Sequence, residues 1–206
     1  MSTAERCRLL VFARAPVPGR CKTRLIARYG ARGAAAIHRQ LCLRTLRLAC
    51  ASGLPVELWC APGTGHAFLL ACRREFGVAL HRQPHGDLGR RMSLAIGSAL
   101  RRGARAAIVI GTDSGTLSSA DLLAAAQALE ADDAVIQPAL DGGYVLIGAR
   151  RALGPALRGI SWSSGAELGQ TLRRLERARL GCRVLAPRWD VDRPQDVRRA
   201  RRAGIF

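Results

Sequence analysis

Residues 8–25, RLLVFARAPVPGRCKTRL, decide the fold of this chain. Leu9-Leu10-Val11-Phe12 is a short, unbroken apolar run, the pattern of a strand buried on both faces. Behind it come Pro16, Pro18 and Gly19, with Arg14, Arg20, Lys22 and Arg24 around them. The chain has 33 basic side chains, and Lys22 is its sole lysine. A strand that empties into a stiff, basic, glycine-containing turn is a common way for an α/β protein to hold phosphate. The turn presents backbone N–H groups, and the cations offset the charge. This loop is the expected seat of a nucleotide diphosphate.

Working outward, apolar runs alternate with helical patterns along most of the sequence, as in a mostly parallel sheet with helices on its faces. Strands are expected at 8–13, 56–60, 78–81, 106–111, 134–137, 144–148 and 183–186. Helices are expected at 33–51, 66–76, 88–102, 120–130, 166–180 and 194–203. Ser118 and Ser119 supply an N-cap before an acidic first turn. Gly53 and Gly103 follow helical stretches where a terminating glycine belongs. Repeats, linkers and low-complexity stretches are absent, so residues 1–206 read as a single domain.

Composition narrows the partners. The net charge of +18 invites a nucleic-acid reading, but aromatic residues are only 4% of the chain, too few for base-stacking platforms. The arginines are scattered along presumed helix faces, which predicts loose attraction to polyanions rather than specific nucleic-acid binding. No apolar run reaches the roughly 20 residues of a membrane helix, and MSTAERCR lacks the apolar stretch of a signal peptide. A cytoplasmic protein is the expectation. The seven cysteines form no Cys-x-x-Cys pair and have no histidine at zinc spacing. They read as reduced thiols, several of them buried. Cys21 sits inside the basic loop, where cations lower a thiol pKa, although small apolar filler is its favoured role.

Four further segments carry candidate chemistry. The strand 106–110 runs into Gly111-Thr112-Asp113-Ser114-Gly115, and ligands of open α/β sheets sit beyond such strand ends. One aspartate there suits Mg²⁺ or Mn²⁺, which take one or two carboxylates plus phosphate oxygens; an Asx turn explains it equally without chemistry. Asp141-Gly142-Gly143 between two apolar runs is a hairpin signal, and Asp141 at its mouth is placed to orient a hydroxyl or act as general base. Gln83 to Met92 opens a helix that Asp87 caps, with small and polar residues suited to a nucleoside. Asp190 and Asp192 precede the last helix. Asp192 reads as its N-cap ahead of Pro194, and either carboxylate is a second metal ligand if the segment folds back to the strand ends. His38, His66 and His81 have no partner at a telling spacing.

Taken in order, FARAPVPGRCKTRL, GDLGRRM, GTDSGTL, DGGYVLIG and WDVDRPQDV resemble a bacterial family of small glycosyltransferase-A-like proteins, often labelled rSAM/selenodomain-associated transferases. The resemblance runs from about residue 8 to residue 197. It implies a nucleotide-diphospho-sugar transferase-like fold, a three-layer α/β/α sandwich shared with small nucleotidyltransferases. By that resemblance Ala13, Arg14, Gly19, Lys22 and Arg24 form the nucleotide diphosphate loop, and Asp87 lies in the segment facing the nucleoside. Asp113 is the metal-binding aspartate, and Asp192 is the late acidic position that completes the site. Arg14 stands where many relatives have lysine, and Gly115 where proline is usual. The metal motif has one acidic residue instead of an Asp-x-Asp.

The expected activity is metal-assisted glycosyl transfer from a nucleotide-diphosphate sugar to a small acceptor, with Lys22 offsetting leaving-group charge and Asp141 as base. Nucleotidyl transfer from a nucleoside triphosphate, releasing pyrophosphate, is the alternative, and a non-catalytic nucleotide-binding protein is a third. Apolar helix faces permit a homodimer.

Overall fold

Leu9, Leu10, Val11 and Phe12 form the middle of an interior strand, and their alternation divides the molecule into layers. Leu9 and Val11 pack into one apolar cluster and Leu10 and Phe12 into another, on opposite faces of the sheet. The computed structural model describes residues 7–205. In chain order the strands are β1 (Cys7–Arg14), β2 (Val56–Ala61), β3 (Ala79–Arg82), β4 (Ala106–Gly111), β5 (Ala134–Pro138), β6 (Tyr144–Ala149) and β7 (Cys182–Val184). The α-helices are α1 (Ile26–Ala51), α2 (Ala67–Phe76), α3 (Leu88–Arg101), α4 (Ser119–Ala131), α5 (Glu167–Arg177) and α6 (Pro194–Arg202).

The strands form one sheet in the order β3-β2-β1-β4-β6-β5-β7. β6 alone runs against its neighbours, antiparallel to both β4 and β5. Helices α1, α2 and α4 cover one face through Leu46, Leu69 and Leu122. Helices α3 and α5 cover the other through Ile96 and Leu175. The result is the expected three-layer α/β/α arrangement on a mostly parallel, mixed sheet. A third cluster joins the start of α1 to α6, with Leu25, Ile37 and Leu41 against Val191 and Val197. Among the described residues no helix is long and apolar enough to cross a membrane.

Two local expectations change. Helix α1 begins at Ile26, seven residues before the expected start, and is broken at Gly30 (φ 68°, ψ 167°). That conformation is open to glycine and closed to most side chains, so the first turn is set at an angle to the rest. Asp192 does not cap the last helix; the N-cap is Arg193, with Pro194 next. The caps at Asp87 and Ser118 form as expected, with Ser118 and Asp121 making a reciprocal capping box.

Candidate functional site

Six of the seven strands point their carboxyl ends at one edge of the sheet, and β6 begins there. A cleft of about 750 Å³ opens at that edge. Its lining includes Ala13, Arg14, Lys22, Arg24, Asp113, Asp141 and Asp192 from the expected set. Gly19 and Asp87 are not among the lining residues. Gly19 shapes the loop with φ 79°. The Asp87 Oδ1 accepts the Arg90 N–H at 2.7 Å as the cap of α3. One turn later, Arg91 takes the place in the cleft expected of Asp87.

The basic loop is pinned at several points. Ala15 N–H donates to Ala61 O at 2.9 Å, and Arg20 N–H to Val17 O at 3.0 Å. Lys22 takes left-handed backbone angles (φ 45°, ψ 45°), uncommon for a side-chain-bearing residue and found where the surroundings over-determine the chain. Its side chain turns inward and is 5% exposed. The ammonium donates to Val191 O at 2.7 Å and to Asp192 Oδ1 at 2.8 Å, and it lies 2.8 Å from Asp113 Oδ1. Burial opposes this charge, but Asp113 and Asp192 outweigh it and hold the ammonium pKa above its ordinary value. Arg24 reaches the other Asp192 oxygen at 3.2 Å.

Around Asp113 the chain brings together residues far apart in sequence. Val191 N–H donates to Asp113 O at 2.9 Å, and Gly115 N–H to Trp189 O at 3.1 Å. Proline at 115 would lack that donor, and a Cβ there would sit 3.2 Å from the Trp189 ring. Gly115 therefore ties the turn to the Trp189–Asp192 segment. The Asp113 side chain remains 47% open to the cleft. Desolvation works to raise its pKa, yet Lys22, then His38 and Arg14, keep the carboxyl below its usual range.

Asp190 is the opposite case. Burial first, then the charges of Asp113, Asp192 and Asp141, push its carboxyl up to about 7 against the pull of Lys22. Its Oδ1 is buried without a hydrogen-bond partner. An under-neutralised carboxylate set with one orphaned oxygen is a place that favours a cation. Among the described residues no three His, Cys, Asp or Glu side chains form a ready-made metal cage. Two carboxylates completed by substrate phosphates is an ordinary Mg²⁺ arrangement, and Asp113 with the unpartnered Asp190 oxygen are the groups that would suit one here.

His38 was invisible to spacing. It reaches the site from α1, with Nε2 donating to Arg14 O at 2.9 Å and Nδ1 3.8 Å from Asp113 Oδ1. Burial lowers its pKa, so the ring is neutral at pH 7 and buttresses the end of β1. Cys21 takes the filler role favoured from sequence, and the lowered thiol pKa that its cationic neighbours suggested does not arise. Burial raises its thiol pKa more than Arg14 and Lys22 lower it, and its Sγ rests against Val17 O as filler. The described cysteines are all free thiols.

At the β3 side, Gln83 Nε2 donates to Trp59 O at 2.9 Å, and its Oε1 accepts from Arg91 at 3.1 Å. Burial and then nearby Arg14 lower the Arg91 pKa, so two guanidiniums share this wall. At the β6 side, Asp141 Oδ1 accepts the Gly143 N–H at 3.0 Å, as in an Asx turn.

Comparison with known proteins agrees with this architecture. Residues 45–164 match the sequence profile of a family described as uncharacterized proteins conserved in bacteria, DUF2064. A provisionally named nucleotide-diphospho-sugar transferase from Desulfovibrio desulfuricans G20 is similar over 94% of this chain and 85% of its own, with 29% identity and a TM-score of 0.84. A Methanothermobacter nucleotidyl transferase superposes with a TM-score of 0.69 at 14% identity, over 96% of this chain and 97% of its own. A Mycobacterium tuberculosis H37Rv protein in complex with manganese gives 0.55 at 18% identity, over 95% and 97%. The last two bear on the fold alone. No curated protein matches the sequence.

Proposed function

The chain belongs to that DUF2064 family of bacterial proteins, and from this premise we propose that it is a metal-assisted glycosyltransferase using a nucleotide-diphosphate sugar. The carrying observation is one cleft in which an arginine-rich wall meets Asp113, Asp190 and Asp192, with the Asp190 Oδ1 buried and without a hydrogen-bond partner. Arg14, Arg20, Arg24 and Arg91 face the cleft as phosphate partners. Asp113 and Asp190 would hold a divalent ion, which would supply charge neutralisation for the departing diphosphate. Asp192, expected beside Asp113 in that role, has both oxygens engaged by Lys22 and Arg24. It serves instead to hold Lys22 in place. Lys22 keeps net charge near the carboxylates low until the donor arrives. Asp141 takes the acceptor's proton as the acceptor oxygen bonds to the sugar carbon. The sugar–phosphate bond breaks, and the electron pair leaves with the nucleoside diphosphate.

Thermal unfolding against nucleotide sugars, nucleoside diphosphates and triphosphates, each with and without Mn²⁺, tests this reading. A ligand at about 100 times its Kd adds roughly 2.7 kcal/mol to stability, so Mn²⁺-dependent stabilisation by one nucleotide sugar is the expected result. A flat response to every nucleotide would remove the phosphate-loop assignment. Five arginines line the cleft, Arg193 with these four, enough to meet a longer phosphate chain, and this favours one second reading, nucleotidyl transfer. Selective stabilisation by a triphosphate, with pyrophosphate release, would identify it. Nucleotide binding without turnover of any donor would mark a non-catalytic protein.

A further inference from the structure

The two halves of the cleft differ in charge, and sheet order separates them. On the β1–β3 side the lining contains Arg14, Arg20, Lys22, Arg24 and Arg91. On the β6 side the lining residues between 141 and 167 include no lysine or arginine, in a chain where 33 of 206 residues are basic. The polar and aromatic members of this second wall are Asp141, Tyr144, Trp162, Ser163, Ser164 and Glu167, beside aliphatic side chains of β6. Tyr144 and Trp162 meet edge to face at 6.2 Å. Glu167 is buried, and its Oε1 accepts the Ser164 N–H at 2.8 Å.

The wall is pre-formed. At Gly142 (φ 90°) an added Cβ would lie 2.0 Å from Gly165 O, so the turn after Asp141 and the loop before α5 touch through backbone. Leu168 N–H donates to Gly142 O at 3.1 Å and locks the pair. Helix α3 keeps the halves apart: Gly89 abuts Trp162, while Arg91 turns to Gln83 on the other side.

A phosphate monoester placed here would meet Asp141 and Glu167 with no lysine or arginine among the lining residues between 141 and 167 to offset it, and like charges at such range repel strongly. A neutral hydroxyl meets carboxylate and serine acceptors, and the apolar face of a ring meets aromatic surface. We propose that the second substrate docks against this cation-free wall and is an uncharged, hydroxyl-bearing molecule such as a polyol or sugar, not a phosphorylated one. The inference rests on the glycosyl-transfer reading and specifies its acceptor. The acceptor O–H gives its proton to Asp141, its oxygen bonds to the sugar carbon, and the nucleoside diphosphate departs.

The test supplies full-length protein with Mn²⁺ and a panel of nucleotide sugars, then adds matched pairs. These are glycerol and glycerol 3-phosphate, glucose and glucose 6-phosphate, and inositol and inositol 1-phosphate. Release of nucleoside diphosphate is the readout. The neutral member is expected to stimulate release by about tenfold over its phosphorylated partner. Ser163→Arg, at an exposed position, should erase that preference while leaving the nucleotide-dependent melting shift unchanged. A phosphorylated member that works equally or better overturns the proposal. So does nucleotide stabilisation with no acceptor-dependent release from any pair, and in that case the nucleotide-site assignment survives. Absence of stabilisation by every nucleotide overturns both.

Discussion

Lys22 donates inside the protein to Val191, Asp113 and Asp192, all within 2.8 Å. Without it, two carboxylates face each other across the floor of the cleft. Lys22→Met should therefore lower stability in EDTA by about 2 kcal/mol, below the range for a fully buried pair because Asp113 is half open to water. Millimolar Mn²⁺ should restore much of the loss, since a cation can again lie among the carboxylates. Urea unfolding with and without metal measures both, and a loss that metal leaves untouched would argue against cation binding there. Asp113→Asn removes a carboxylate while keeping the shape, so metal-dependent turnover should vanish with circular dichroism unchanged. Wild-type rates in that variant would end the metal role. The sequence marks Lys22 as the single lysine of a phosphate-type loop. That it faces carboxylates could not be read there, because Asp192 lies 170 positions away. His38 was hidden for the same reason: only folding carries α1 to the end of β1.

At the scale of elements, hydrophobic period and turn chemistry placed the strands and most helices, because each element buries its own apolar stripe. Errors arose where backbone geometry overrides composition, as at Gly30, or where a carboxylate has a stronger offer than capping. Asp192 gives its oxygens to Lys22 and Arg24, so Asp196 accepts the free N–H of Arg193 at 2.7 Å. Asp121 shows a cap with wider reach. It pairs with Ser118 in the capping box, accepts from Gln137 at 2.9 Å and binds Arg188 through both oxygens. This ties α4 to β5 and to the segment leading to Trp189. Burial opposes its charge, but hydrogen bonds from Arg188, Ser118 and Gln137 bring its pKa below the ordinary 3.8. A depressed folded-state pKa stabilises the protein above the unfolded value and loses that contribution as pH falls through the folded one. Asp121→Asn should thus cost about 2 kcal/mol at pH 7, and the gap to wild type should close below pH 3.8. Denaturant melts at neutral and acid pH check this; an equal gap at both would show that packing, not charge, is at stake.

At the scale of the molecule, the sequence carried the ingredients of the cleft without its layout. The segments at 14–24, 113, 141 and 190–192 were each visible, but strand order is not written in any of them. Only the order β1-β4-β6 sets the arginines on one side of Asp113 and the cation-free wall on the other. The overall charge of +18 acts at a different range from this local polarity. Charge spread over an exposed surface attracts polyanions diffusely, and salt screens it over about 10 Å at 0.1 M. A bound diphosphate would instead touch fixed guanidiniums and a metal ion inside a cleft, where screening is weaker. Retention of single-stranded RNA should accordingly fall steeply between about 50 and 300 mM NaCl, with a log–log slope set by the number of contacts. The Mn²⁺-dependent melting shift from the preferred nucleotide should change little over the same range. Filter binding and thermal unfolding along one salt series separate the two. If both fall together, the nucleotide is held by the same diffuse field as RNA, and the cleft confers no selectivity. If RNA alone is lost, the positive charge outside the cleft is background, and the chemistry belongs to the few cations that β1 and α3 direct inward.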